Sequence, residues 1–404
     1  MKKVLMYLGI TATAAFFGTA AFASVNDDQV TSQKIREADG TSGQSTNSGS
    51  GVKTGHIQDG AVTDAKIGGT ISPSKVNGLE ASLAGKADVI HNHDVLYQQK
   101  YGKVAVVAQT GGDYTDPVTA MNDLGSWCGT PSETNPCLLR IMPGIYAITL
   151  SLNMSQYVDI VGSGEGVTKI KGSFCSAALW GASHAEVRNI TIENASTGAC
   201  SITYAIYNNA SSPRFTNVTA IVSGEGQAAA IYNWTATPKM TNVSSSATAG
   251  TIAYGMINTM FSATEVQGGS FSASGAANQN IGIANAKSDV KMANLTVTAS
   301  GQNGVGIQNS ASTSTLNTSL LQGVRVTSSG IGIQTLTNSG MGTVTSKIYD
   351  SSITGTTNKI TMDGSSNTYY INNTQLQGGP IVYNGGVVKC HNAFDENFDP
   401  LVCQ

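Results

Sequence analysis

Ala205-Ile206-Tyr207-Asn208, Ala230-Ile231-Tyr232-Asn233, Gly255-Met256-Ile257-Asn258, Gly282-Ile283-Ala284-Asn285 and Gly306-Ile307-Gln308-Asn309 are five versions of one phrase. The intervals from asparagine to asparagine are 25, 25, 27 and 24 residues. A second apolar mark follows each one, at Val218, Val243, Val266, Leu295 and Leu320. Between them lie short alternating runs of β-branched residues set among Gly, Ser, Thr and Asn, which is strand and turn chemistry. No helical stripe is sustained through the repeats. A fixed period of this size means stacked repeats.

A unit of this length holds three strands of about 4–6 residues and three connections. Helical repeats would need Ala, Leu, Glu and Lys in place of Ser, Thr, Gly and Asn. The reading is therefore all-β: a parallel β-helix in which each coil pairs with the coils above and below. Asn208, Asn233, Asn258, Asn285 and Asn309 then form a structural ladder. Asparagine tolerates the left-handed backbone of a sharp turn, and its amide reaches the asparagine about 4.8 Å away on the next coil.

Residues 1–23 read as a signal peptide: Lys2 and Lys3, an apolar core from Val4 to Phe17, and Ala21-Phe22-Ala23 at the cleavage site. The expected mature chain is exported and has no membrane span. Loss of two lysines moves the formal charge from −3 to −5. With only 12% charged residues and no basic run, nucleic acid is not an expected partner. Residues 24–51 form a flexible linker by composition.

Within residues 52–102, Val62-Thr63-Asp64-Ala65-Lys66-Ile67 is echoed by Ile71-Ser72-Pro73-Ser74-Lys75-Val76, and His91-Asn92-His93 follows. From Gly51 to Tyr101 the sequence resembles phage tail-fibre and collar proteins, which use such repeats and a His-x-His motif in thin trimeric shafts. The resemblance implies a homotrimeric stalk in which His91 and His93 of three chains surround one iron-like transition-metal ion. Residues i and i+2 of a strand point the same way, which suits joint ligation. The same two histidines also read as exposed residues of a linker.

Residues 103–386 open with a strand at Val104–Val107. A capped helix then starts at Asp116-Pro117, with Val118, Met121 and Leu124 on one face. Arg140–Tyr146, Tyr157–Gly166 and Thr168–Ile170 follow as strands and turns. The stretches VVAQTGGDYTDPVTAMNDL, PGIY and IVGSGEGVTKIKG resemble the opening of pectin-lyase-like right-handed β-helices, pectin methylesterases in particular. The resemblance implies that the helix seals the first coil and blocks edge-to-edge association. Gly162, Gly164 and Gly166 precede a strand, so they read as a turn and not as a phosphate cradle.

All six cysteines lie in the exported part, so three disulfides are expected. Of 15 pairings, spacing favours one. Cys128 and Cys137 flank a loop, and Cys390 and Cys403 close a C-terminal cap of residues 387–404. Cys175 and Cys200 lie 25 residues apart, one coil period.

The acids of the resembled enzymes are not found: no Asp occurs between Asp159 and Asp289. Glu186, Arg188, Glu193 and Arg214 are the only close-set candidates there for acids with a basic partner, and Glu186 with Arg188 reads as an exposed ion pair. If Ile206 and Ile231 point inward, Tyr207, Tyr232 and Trp234 turn outward on adjacent coils and offer rings to a sugar or a protein. The sequence thus reads as an exported, non-catalytic surface or adhesive module that binds glycan, with a polysaccharide-active enzyme as the rival.

Overall fold

The computed structural model describes residues 101–198, 200–311, 316–337 and 342–403. The expected signal peptide, the linker, and all of the stalk before Tyr101, with His91 and His93, lie outside the described residues. Within them the chain is a parallel β-helix. Every ladder between named strands is parallel, and ten successive coils place one strand each in a ten-stranded sheet that runs from Leu152–Asn153 to Ile381–Asn384. The remaining 17 strands form a second, folded sheet.

That second sheet bends because one residue per coil is left-handed. Asn189, Asn217, Asn242, Asn294, Asn373 and Asn392 have φ between 47° and 56°, while Gly268, Gly323 and Asp350 take the same place in the other coils. Asparagine and glycine carry the smallest penalty for this conformation. The bend divides a strand such as Lys239–Ala249 into two arms, which gives each coil three faces.

The interior is filled by stacks of like residues. Ile206, Ile231, Met256, Ile283 and Ile307 form one stack, and Phe215, Met240, Val266, Met292 and Leu321 form a second. All are at most 3% exposed and belong to one core. Two of the expected apolar marks belong elsewhere. Val266 pairs with Met240, before the bend, while the partner of Val243 is Gly269. A Cβ at Gly269 would lie 1.9 Å from the Val243 carbonyl oxygen, which leaves no room for another valine. Leu320 lies between inward Ser319 and Leu321 and faces out, half-buried.

The opening coil is covered by two short helices, α1 (Pro117–Asn122) and α2 (Leu124–Trp127). The Asp116 carboxylate accepts from the backbone N–H groups of Val118 and Thr119, the expected cap. Val118 and Met121 are buried in the core, and Leu124 packs against it. Gly162, Gly164 and Gly166 lie in a turn that leads into the strand Thr168–Gly172.

The three bridges are Cys128–Cys137, Cys175–Cys200 and Cys390–Cys403, with Cα separations of 6.0, 5.2 and 5.5 Å. The strand Val387–Phe394 stacks on Thr368–Gly378, so the closing segment begins as a further turn of the coil.

Candidate functional site

The asparagine row sets the frame. Asn208, Asn233, Asn258, Asn285 and Asn309 point inward and are at most 1% exposed. The first four Nδ2 atoms each donate to the Oδ1 of the next coil, at 2.7, 2.7, 2.8 and 2.9 Å, and Asn309 ends the row by donating to the Ser319 and Ser346 hydroxyls. They sit in extended strands, and none has positive φ. The left-handed role expected of them belongs to the outer row at the bend, where a second, longer-spaced ladder joins Asn217 to Asn189 and Asn242 to Asn217. Buried amides cannot exchange their bonds for water, so the inner row fixes which residues of this strand face out.

With Asn208 and Asn233 inside, their neighbours Tyr207 and Tyr232 are outside. Their rings are 5.1 Å apart, and Trp234 lies 6.3 Å from Tyr232 at an interplanar angle of 15°. The structure adds two rings that the sequence reading missed. Trp180, one coil earlier, lies 4.6 Å from Tyr207, and Tyr204 stacks on Tyr207 at 5.2 Å. The signal was present: Trp180 precedes Tyr207 by 27 residues, and Tyr204 precedes Asn208 by four, as Tyr254 precedes Asn258. Trp234 is 37% exposed, and the other rings are half-buried. Burial pushes the phenols of Tyr204, Tyr207 and Tyr254 up, and that of Tyr232 up to about 12. At neutral pH the phenols are uncharged and the patch is largely aromatic surface.

A second group gathers on the folded sheet. Asp159, 4% exposed, accepts from the Tyr101 hydroxyl at 2.5 Å and from the Glu186 backbone N–H at 2.8 Å. Arg188 donates to Glu186 at 3.2 Å, and Thr216 donates to its other oxygen at 2.7 Å. The expected ion pair therefore exists, but as part of a half-buried network. Burial opposes the charge of Arg188, while Tyr101, Glu186 and Asp159 outweigh it and raise its pKa. Glu193 pairs instead with Lys171, at 3.0 Å. Next to the network lies a hollow of about 740 Å³ lined by Tyr157, His184, Arg214 and Lys239. No cluster of three potential metal ligands occurs among the described residues.

No protein-family model matches the chain, and no curated protein does. Solved structures do resemble it. Pectate lyase Pel9A is 13% identical, with a TM-score of 0.48 over 73% of this chain and 80% of its own. ORF18 of Geobacillus virus E2 is 10% identical, with a TM-score of 0.42 over 77% and 63%. The pectin methylesterase from carrot is 12% identical, with a TM-score of 0.36 over 72% and 89%. The fold assignment itself rests on the strand register described above.

Proposed function

We propose that the mature chain is an exported, non-catalytic surface module whose ten-stranded face binds glycan. The observation that carries this reading is the outward patch of Trp180, Tyr204, Tyr207, Tyr232 and Trp234, its neighbouring rings 4.6–6.3 Å apart on successive coils. Aromatic faces stack on the C–H faces of sugars and their hydroxyls supply the polar contacts. Three disulfides are consistent with export, and no helix among the described residues is long and apolar enough to cross a membrane. The reading includes a trimer formed through residues 52–102 with metal at His91 and His93. Size in solution with and without a chelator tests that part.

Titration with neutral oligosaccharides, followed by tryptophan fluorescence, tests the glycan site. Tyr232→Ala and Trp234→Ala should each weaken binding by roughly tenfold. An unchanged signal across a panel of plant and bacterial glycans would sink the reading. The hollow beside Asp159 and Glu186 favours the enzymatic rival. Sustained release of unsaturated ends or methanol from pectin, lost on Glu186→Gln, would establish that rival instead.

A further inference from the structure

An outward row on the folded sheet carries a charge pattern that the aromatic face does not use. Register sets Lys239, Glu265, Lys291, Leu320, Lys347, Tyr370 and Lys389 in line, one residue per coil. The same line begins with Glu186 and Arg214 on the two coils before Lys239, so the alternation holds from Lys239 onward. Lysine therefore returns at every second coil. All four lysines are exposed. With strands about 4.8 Å apart, the cations stand about 9.6 Å apart. Four lysines and one glutamate give the row a formal charge of +3, on a chain whose total is −3.

The residues between the lysines differ in kind. Glu265 accepts from Lys291 at 3.2 Å and pairs with Lys239 at 3.3 Å, and these contacts hold its carboxyl below the usual range. Leu320 offers an apolar surface. The Tyr370 ring lies 5.5 Å from the Lys389 ammonium. Hollows of about 380 and 330 Å³ run along the row between Lys239 and Lys347. The neighbouring row, Thr241, Gln267, Ala293, Gln322, Tyr349 and Asn372, carries no charge, and Thr241, Gln267 and Gln322 are exposed hydrogen-bonding groups beside the lysines.

We propose that this row binds a linear polysaccharide bearing one anionic group per disaccharide, laid along the helix axis. An extended disaccharide is about as long as two strand spacings, so successive anions meet successive lysines. The neutral sugar between two anions then faces Leu320 or Tyr370. Glu265 repels a polymer charged on every sugar, so the same residue that orders two lysines also selects against denser charge. The proposal is independent of the aromatic patch.

The test is equilibrium binding of the intact, disulfide-bonded chain at low salt. The probes are hyaluronan (one carboxylate per disaccharide), keratan sulfate sulfated on its glucosamine alone (one sulfate in place of the carboxylate), polygalacturonate (charged on every sugar), neutral dextran and single-stranded DNA. Hyaluronan or keratan sulfate should bind roughly tenfold more tightly than polygalacturonate of equal length, and added salt should weaken it. Which of the two binds identifies the anion. Combining Lys291→Gln with Lys347→Gln should weaken binding by roughly tenfold, while Arg325→Gln, outside the row, should leave it unchanged. Equal or tighter binding of polygalacturonate or DNA, no binding of either repeat-charged polymer, or indifference to the lysine pair would overturn the proposal.

Discussion

Two rows of asparagine run along this β-helix, and the same side chain does different work in each. In the inner row, Asn208 to Asn309 lie in extended strands and tie coil to coil through buried amides. In the outer row, residues such as Asn217 and Asn242 are chosen for their backbone, left-handed at 52°. Their amide contacts are longer, at 3.0 and 3.3 Å, the first part-buried and the second exposed. One row is replaceable in principle by glycine, the other only by a residue that donates and accepts. The coils themselves obey this: Gly268 and Gly323 stand in the outer row, whereas no glycine interrupts the inner row between Asn208 and Asn309.

The largest expected effect comes from breaking the inner row at its middle. Asn258→Ala strands the Asn285 side-chain carbonyl, takes the acceptor from the Thr264 hydroxyl and leaves Asn233 Nδ2 only a long 3.5 Å contact to Thr264, and should cost about 3 kcal/mol. The shift in denaturant midpoint measures it. Gly at the same position should be no better than Ala.

The disulfides sharpen the contrast, because none of them joins two coils of the ladder. Cys175–Cys200 ties the coil that contains Gly181 to the next, just before the first asparagine, and Cys390–Cys403 closes the far end. Replacing Cys175 and Cys200 by serine should cost about 2 kcal/mol, less than the roughly 3 kcal/mol of a free loop this long, since stacking already orders both coils. Non-reducing peptide mapping checks the pair itself.

The outer row should respond more weakly and in the opposite order. Asn217→Ala keeps a Cβ in a left-handed conformation but removes the amide that makes it tolerable there, and should cost about 1 kcal/mol, whereas Asn217→Gly should be neutral within about 0.5 kcal/mol. If Asn217→Gly were as damaging as Asn258→Gly, the division of labour would fail.

The smallest effect concerns alkaline pH. Tyr232 ionises near 12 when folded, because burial and the neighbouring phenols Tyr204, Tyr207 and Tyr254 disfavour its charge, against about 10 unfolded. A raised folded pKa means its contribution is intact below pH 10 and is lost as pH rises from about 10 through about 12. Thermal midpoints should fall across that window, and Tyr232→Phe should flatten part of the fall.

Much of this was legible because stacking forces periodicity. Asparagines 24–27 residues apart announce their own coils, and the Cys175–Cys200 spacing matches that period. Outward Tyr207 and Tyr232 followed from inward isoleucines by simple alternation. What escaped was whatever depends on registering unlike residues. Asp159 and Glu186 meet only because strands Val158–Val161 and Glu186–Ala195 pair, and no shared residue type marks that pairing. The lysine row hides for the same reason: its members are separated by 42 to 56 residues, with Glu265, Leu320 and Tyr370 between them. The left-handed turn was assigned to the inner row because asparagine suits both such a turn and an amide ladder, and only the φ angles separate the two.

The inner amides also have a direction: each donates toward the C-terminal coil and accepts from the one before. At the leading end the Asn208 carbonyl oxygen has no partner, and the position before it is Gly181, where a Cβ would fall 2.0 Å from that oxygen. Lengthening is therefore closed at that end and open in the middle. A copied 25-residue unit placed between Asn233 and Asn258 would bring its own donor and acceptor and satisfy both neighbours. The rod would grow by one rung, about 4.8 Å, with nothing else rearranged. Gene duplication acting on such a chain sets the reach of a molecule in fixed steps, as notches set a ruler.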